Sequence, residues 1–304
     1  MRGKVNMELC LGTVQFGMNY GVFGQKKPCL NDACDMLEYA VNNGITHIDT
    51  AKQYGTAEEV IGYFLKKCAV NRSDIFLSTK FQPNRLDDVK SQDYYTVIKE
   101  EITDQLKRLN TDYIDAYLLH SARYVYDDEI LEAINRIKKE GYARYVGVSV
   151  YETNEAKRGI ESQLVDYLQL PYSIFDQRMK DENVFSLAEK SGNTIIDSRS
   201  AFVQGLILAE EKKIPSFLNK AKPIIRKIDE LSRRYNISKI ALALNYVKNT
   251  QGICNLVFGV DNINQLKEDI LYFQTDINKD IMNEIALEFK NIETDIVMPS
   301  LWKK

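Results

Sequence analysis

At 304 residues, with a hydrophobic fraction of 44%, the chain is long enough for two ordinary domains or one large barrel around a sizeable core. A formal net charge of -3 offers no global electrostatic attraction to nucleic acid or to an anionic membrane, so neither is expected as a partner. Five scattered cysteines, Cys10, Cys29, Cys34, Cys68 and Cys254, form no C-x-x-C pair and fit reduced thiols in a cytosolic setting without disulfides.

In chain order, the N-terminal stretch is interrupted by Asn6 and Glu8 and makes a poor signal-peptide core. The apolar runs that follow fall far short of a membrane span, so a cytoplasmic protein is expected. Strands are predicted at 8–13, 45–49, 75–80, 113–119, 142–149, 167–170, 194–198 and 253–259. Helices are predicted between them at 31–42, 57–68, 92–109, 127–139, 154–159, 183–190 and 262–272, several opened by an Asn or Asp able to cap the first turn. Across 92–109, Tyr95, Ile98, Ile102, Gln105 or Leu106, and Leu109 recur at three and four and mark one buried face. Two further amphipathic segments, 215–235 and 238–248, precede the last strand, and another, 276–289, follows the last unit.

Eight βα units in about 300 residues predict a single-domain (β/α)8 barrel spanning residues 1–304. A doubly wound sheet would carry a glycine-rich turn after an early strand. The early candidate, Gly12-Thr13-Val14-Gln15-Phe16-Gly17, lacks G-x-G-x-x-G spacing. No repeat, low-complexity tract or linker divides the chain.

Barrel enzymes place their chemistry at the C-terminal ends of the strands, and four polar residues stand there. Asp49 closes the second predicted strand with Tyr54 in the loop after it, Lys80 closes the third, and His120 follows the fourth. Tyrosine, a weak acid with a reference pKa of about 10, can donate to a developing alkoxide. A lysine ammonium beside it would ease loss of that proton, and an aspartate would hold the lysine charged and oriented. A histidine can add a second hydrogen bond that orients a carbonyl. Each residue alone has an ordinary structural explanation, and the weight lies in the combination. His47, two residues from Asp49, is read as a satisfied histidine of the core or pore. With two histidines, the chain has no convincing ligand set for a metal-dependent hydrolase, and no metal is expected.

The segment Gly44-Ile45-Thr46-His47-Ile48-Asp49-Thr50-Ala51, followed by Tyr54-Gly55 and Glu58, resembles the G-x-x-x-x-D-T-A-x-x-Y-G-x-x-E signature of the aldo-keto reductases. A second signature of that family is matched from Leu106 to Asp115 and on through Leu118-Leu119-His120, and Gly147-Val148-Ser149 and Tyr167-Leu168-Gln169-Leu170-Pro171-Tyr172-Ser173 also fit. The resemblance covers nearly the whole chain. It implies a nicotinamide cofactor, NADPH or NADH, bound extended across the strand ends, and reversible reduction of a small-molecule carbonyl. It makes Tyr54 the proton donor, Lys80 and Asp49 its tuners and His120 the residue that orients the substrate. It puts Gly12, Thr13, Asp49, Ser149 and Gln169 at the nicotinamide end, and extends the cofactor contacts to Arg199, Ser200, Gly259, Gln265 and Asp269.

Three positions depart from the family pattern. Val150 stands where an Asn commonly gives an amide to the cofactor carboxamide. Arg199 occupies the place of an aromatic that stacks on the nicotinamide; its guanidinium can stack, reach the pyrophosphate or bind a substrate anion. Gln265 and Asp269 lie where an Arg and an Asn often meet the 2′-phosphate of NADPH, so weaker NADPH selectivity, dual use or a preference for NADH is expected. Lys267 and the helix N-terminus after the Gly259 to Asn262 turn are the features that could still receive that phosphate.

Tyr20, Tyr94, Tyr95, Tyr124, Tyr126, Tyr151 and Tyr172 fall in segments expected near the pocket rim. They suggest a mixed aromatic and hydroxyl-bearing pocket for a polyol-like or sugar-derived carbonyl, unless they pack under helices. Trp302 either closes over the pocket or ends a tail with the last two lysines. The competing functional reading is a cofactor-binding regulatory module of the same fold with little turnover, as in potassium-channel β-subunits.

Overall fold

The computed structural model describes residues 7–68 and 70–302; the predicted N-terminal features before Met7 and the two terminal lysines lie outside the described residues. Strands β1 (Glu8–Gly12), β2 (His47–Asp49), β3 (Phe76–Phe81), β4 (Ile114–Leu119), β5 (Ala143–Ser149), β6 (Tyr167–Pro171), β7 (Ile195–Arg199) and β8 (Asn255–Gly259) follow chain order around a closed parallel barrel. Pairing of β1 with β8 closes it, through registers such as Gly12 against Gly259. All eight predicted strands are present, because a parallel pair needs a crossover and each crossover carries a helix that covers the outer face. Among the described residues, no helix is long and apolar enough to cross a membrane.

The helices refine the expected segments. Thr153–Ser162 runs past Gly159, where a predicted helix ended. The glycine there permits close approach to β6, since a Cβ would stand 3.0 Å from the Leu168 side chain. The amphipathic segment read at 215–235 divides into a 3-10 turn, Ser216–Ala221, and the helix Lys222–Tyr235. Pro223, which lacks an N–H, sits in the first turn of the second piece, where none is required. Asp127 and Asn262 cap their helices as anticipated, each accepting two backbone N–H groups. On Tyr94–Leu109, Ile98, Ile102 and Leu109 are buried, and Gln105, not Leu106, completes the inner face. Gln105 donates to Glu58 Oε1 at 2.6 Å and to the Lys80 carbonyl at 3.1 Å, and accepts from the Tyr117 hydroxyl at 2.8 Å.

Alternation along the strands decides what faces the barrel axis. On β3, Ser78 and Lys80 both reach Asp49, whereas Thr79 between them points outward and donates to Glu58 at 2.8 Å. On β4, Ala116 and Leu118 belong to a small interior cluster with Tyr167, while most other buried apolar side chains pack between sheet and helices. The same parity turns Gly12, Asp49, Lys80, Ser149, Gln169, Arg199 and Gly259 inward at the C-terminal mouth.

Candidate active site

Asp49 and Lys80 form the floor of that mouth. The Lys80 ammonium donates to Asp49 Oδ1 at 2.7 Å, to Oδ2 at 2.8 Å and to the Thr50 carbonyl at 2.9 Å. Ser78 Oγ and Gln169 Nε2 also donate to Asp49 Oδ1, at 3.0 and 2.8 Å. Lys80 is 0% exposed, and the carboxylate and a carbonyl replace water around its ammonium.

Tyr54 lies above this pair, with the Lys80 Nζ 5.1 Å from its ring centroid. His120 stands edge-on to the same ring, centroids 5.9 Å apart. Burial, and then the Asp49 charge, push the Tyr54 phenol well above its ordinary pKa, so the hydroxyl keeps its proton. Burial, with the Lys80 and Arg199 charges, lowers His120 to about 3, leaving a neutral imidazole. Its buried Nδ1 has no hydrogen-bond partner among the described residues. All four predicted catalytic residues therefore converge.

The backbone around Tyr54 is set by two glycines that no motif reading singled out for this purpose. A Cβ on Gly17 would stand 1.6 Å from the Tyr54 carbonyl oxygen. Gly55 has φ +58, and a Cβ there would meet the Gly17 carbonyl at 2.4 Å. The short helix Val14–Gly17 and the loop after β2 thus lie backbone to backbone.

A cavity of about 700 Å³ opens above these groups. Its lining includes every predicted cofactor position: Gly12, Thr13, Asp49, Ser149, Gln169, Arg199, Ser200, Gly259, Gln265 and Asp269. Gln169 gives its amide N–H to Asp49, so that donor is engaged within the protein. Val150 turns its side chain outward into the core and presents only backbone, its carbonyl accepting from Arg199 Nη2 at 3.0 Å. On the β8 side the wall is acidic, with Asp261, Glu268 and Asp269. Burial, with Glu268 adding to it, raises Asp269 to about 8. Lys267 lies over the Tyr39 ring at 5.3 Å and is not part of the lining.

Of the seven tyrosines expected at the rim, Tyr20 and Tyr151 line the cavity. The others are held elsewhere: Tyr172 is buried against Phe185 and Tyr246, Tyr124 bonds Asp87, Tyr95 bonds Glu140 and Tyr94 lies near Asp127, while Tyr126 is exposed. Trp302 packs beside Phe217, centroids 6.3 Å apart, and donates to the Ile296 carbonyl at 3.2 Å, outside the cavity lining. The structure adds Gln15, Gln25, Gln53 and Gln204, whose amides carry no sequence signal of a site. His47 faces the pore at the opposite, N-terminal end, stacked on Phe76 at 4.6 Å, with Nε2 3.4 Å from Glu8. It is only half satisfied, because its Nδ1 has no partner among the described residues.

One layer below the floor, Tyr167 donates to Asp197 Oδ2 at 2.5 Å and Asn255 to Oδ1 at 2.6 Å. Burial raises this carboxyl to about 7. Strand alternation, counting back two residues from Arg199, was the signal that could have pointed to Asp197. Among the described residues, no group of three His, Cys, Asp or Glu side chains could hold a metal.

The sequence profile of the aldo/keto reductase family matches residues 8–287. An uncharacterized oxidoreductase, YqkF, of Bacillus subtilis (strain 168) is 29% identical over 258 residues, covering 79% of this chain and 81% of its own. An NADH-specific methylglyoxal reductase of Escherichia coli (strain K12) is 24% identical over 286 residues, 83% of this chain and 86% of its own. The holo form of aldo-keto reductase AKR11C1 from Bacillus halodurans superposes with a TM-score of 0.75 at 25% identity, covering 92% of this chain and 91% of that one.

Proposed function

Since the chain belongs to the aldo/keto reductase family, a group of NAD(P)-dependent oxidoreductases, we propose that it reduces a hydroxylated, sugar-derived aldehyde or ketone with Tyr54 as proton donor. The observation that carries this reading is the Tyr54 ring set over a buried Lys80–Asp49 pair and edge-on to His120, whose Nδ1 has no partner among the described residues. A bound reduced nicotinamide would supply hydride to the carbonyl carbon. Tyr54 gives its proton to the carbonyl oxygen as negative charge develops there. His120, in its neutral form, hydrogen-bonds the same oxygen and fixes the substrate's orientation. Lys80 and Asp49 are positioning residues: the ammonium opposes the carboxylate's effect on the phenol and eases proton release. Six glutamine amides and three phenols, Tyr54 included, line the cavity and support a substrate rich in hydroxyls.

The whole chain is taken as one catalytic barrel. Gly12, Thr13, Ser149 and Gln169 are assigned to the nicotinamide end of the cofactor, and Gly259, Gln265 and Asp269 to the other. The fit is supported by a cavity that runs continuously between these two groups. Loss of nicotinamide absorbance against a panel of aldoses, keto-sugars and simple aldehydes tests the activity. Cofactor binding without turnover of any of them would favour a binding module instead.

The acidic wall supports NADH as the preferred cofactor, since a 2′-phosphate dianion would face Glu268 and Asp261 without a lining arginine beside it. We expect kcat/KM with NADH to exceed that with NADPH by about tenfold at neutral pH, a difference of about 1.4 kcal/mol. Because Asp269 is neutral below about 8 and anionic above it, the ratio should grow between neutrality and pH 9. A higher efficiency with NADPH would overturn the assignment.

Gly17→Ala tests how Tyr54 is positioned. The added methyl must displace the Tyr54 carbonyl, and a misplacement of about 1 Å lowers turnover by roughly 100-fold. Unchanged kcat in a folded variant would mean that this backbone contact does not set the geometry.

A further inference from the structure

Five arginines among the described residues are half-buried: Arg72, Arg108, Arg158, Arg178 and Arg199. Four of them pair with a carboxylate: Arg72 with Asp115, Arg108 with Glu58, Arg158 with Asp128 and Arg178 with Asp176. Arg199 has only neutral partners among the described residues. Its Nη2 donates to the Val150 carbonyl at 3.0 Å, its Nη1 meets Ser200 Oγ at 3.4 Å, and its guanidinium lies 4.3 Å from the Tyr151 ring centroid. A guanidinium half-buried at a cavity wall and given no counter-charge is the arrangement of a site whose anion arrives with a ligand.

The surrounding charges sharpen this. Asp49 is neutralised by Lys80, and Tyr54 and His120 are uncharged, which leaves Arg199 as the net positive charge at the reacting end. The acids of the cavity lie elsewhere: Asp261, Glu268 and Asp269 follow β8, and Glu210 is paired with Lys212 and Lys213. From the end of β7 the Arg199 side chain crosses β6 to reach the backbone after β5, so it leans away from β8 and toward the side of the barrel where His120 stands. The remaining guanidinium N–H groups form a planar fork suited to two oxygens of one anion.

We infer that the carbonyl substrate carries a carboxylate or phosphate that seats on Arg199 while its carbonyl meets Tyr54 and His120. This rests on the proposed carbonyl reduction at Tyr54 and His120, and it assigns Arg199 to substrate instead of cofactor.

The test compares matched substrates with the NADH-loaded enzyme: succinic semialdehyde against butyraldehyde, and glyceraldehyde 3-phosphate against glyceraldehyde. In the wild type, one anionic member is expected to exceed its neutral homologue in kcat/KM by about 100-fold, consistent with a charged, bidentate contact. The pair that shows the preference separates carboxylate from phosphate. In Arg199→Ala the ratio should collapse to about one, and Arg199→Lys should retain part of it as a point charge without the fork. The idea is overturned if wild type treats both members alike, if Arg199→Ala lowers both equally, or if that variant weakens NADH binding by as much as it lowers the anionic efficiency. If no carbonyl is turned over, the reductase reading fails, and calorimetry of malonate and inorganic phosphate on the NADH-loaded protein still decides the anion site. Binding lost in Arg199→Ala supports it, and binding unchanged or absent in the wild type overturns it.

Discussion

Tyr54→Phe is expected to lower kcat for carbonyl reduction by about 10² to 10⁴-fold, the usual contribution of a positioned acid, while the Kd for NADH stays within about twofold. The substitution removes one hydroxyl and keeps the ring that packs edge-on against His120 and over Lys80. The loss should therefore fall on the chemical step and leave folding intact. The pH profile adds a signature that a packing role would lack. Because burial and Asp49 raise the phenol pKa, Tyr54 remains protonated through neutral and mildly alkaline solution, and reduction should show no alkaline fall from this group below pH 10. Alcohol oxidation needs the phenolate and should rise with pH over the same range. A Tyr54→Phe enzyme as active as wild type would remove Tyr54 from the mechanism.

Lys80→Met should lower kcat by about 10² to 10³-fold and also cost about 3–5 kcal/mol of stability, because it leaves the Asp49 carboxylate buried without its counter-charge. Two readouts separate these effects. The double variant Lys80→Met, Asp49→Asn removes both charges and is expected to recover most of the lost melting temperature. Activity should stay low, since the buried ammonium beside Tyr54 that eases its proton release is then gone. Recovery of both together would make the pair a structural feature only, whereas recovery of stability alone supports its action on the phenol.

Much of this architecture was legible because its signals are local. An apolar run of strand length followed by an amphipathic helix can be read without knowing what packs on it, which is why all eight strands lie within two residues of the expected bounds. Errors arose where a residue type has two uses. Gly159 reads as a helix stop but serves close packing on Leu168, and the tyrosines from Tyr94 to Tyr126 read as rim residues but bond acids on neighbouring elements or face solvent. Neither choice is encoded within a few residues of the position itself.

The catalytic constellation divides in the same way. Spacing and alternation were sufficient to put Asp49, Lys80 and His120 at strand ends, and so to gather them with Tyr54 at one mouth. Their charge states needed the folded molecule. The Lys80 ammonium is held by three oxygens drawn from residues 49 and 50, His120 is neutral through burial, and Arg199 is left without an acid because its neighbours across β6 are a carbonyl and an aromatic ring. Hydrophobic periodicity is a property of consecutive residues, so the sequence alone determined the barrel and the strand ends that carry its polar groups. Burial and pairing belong to residues far apart in the chain, so only the tertiary structure decided which of those groups are charged, which are neutral, and which cation at the reacting end is left without an acid.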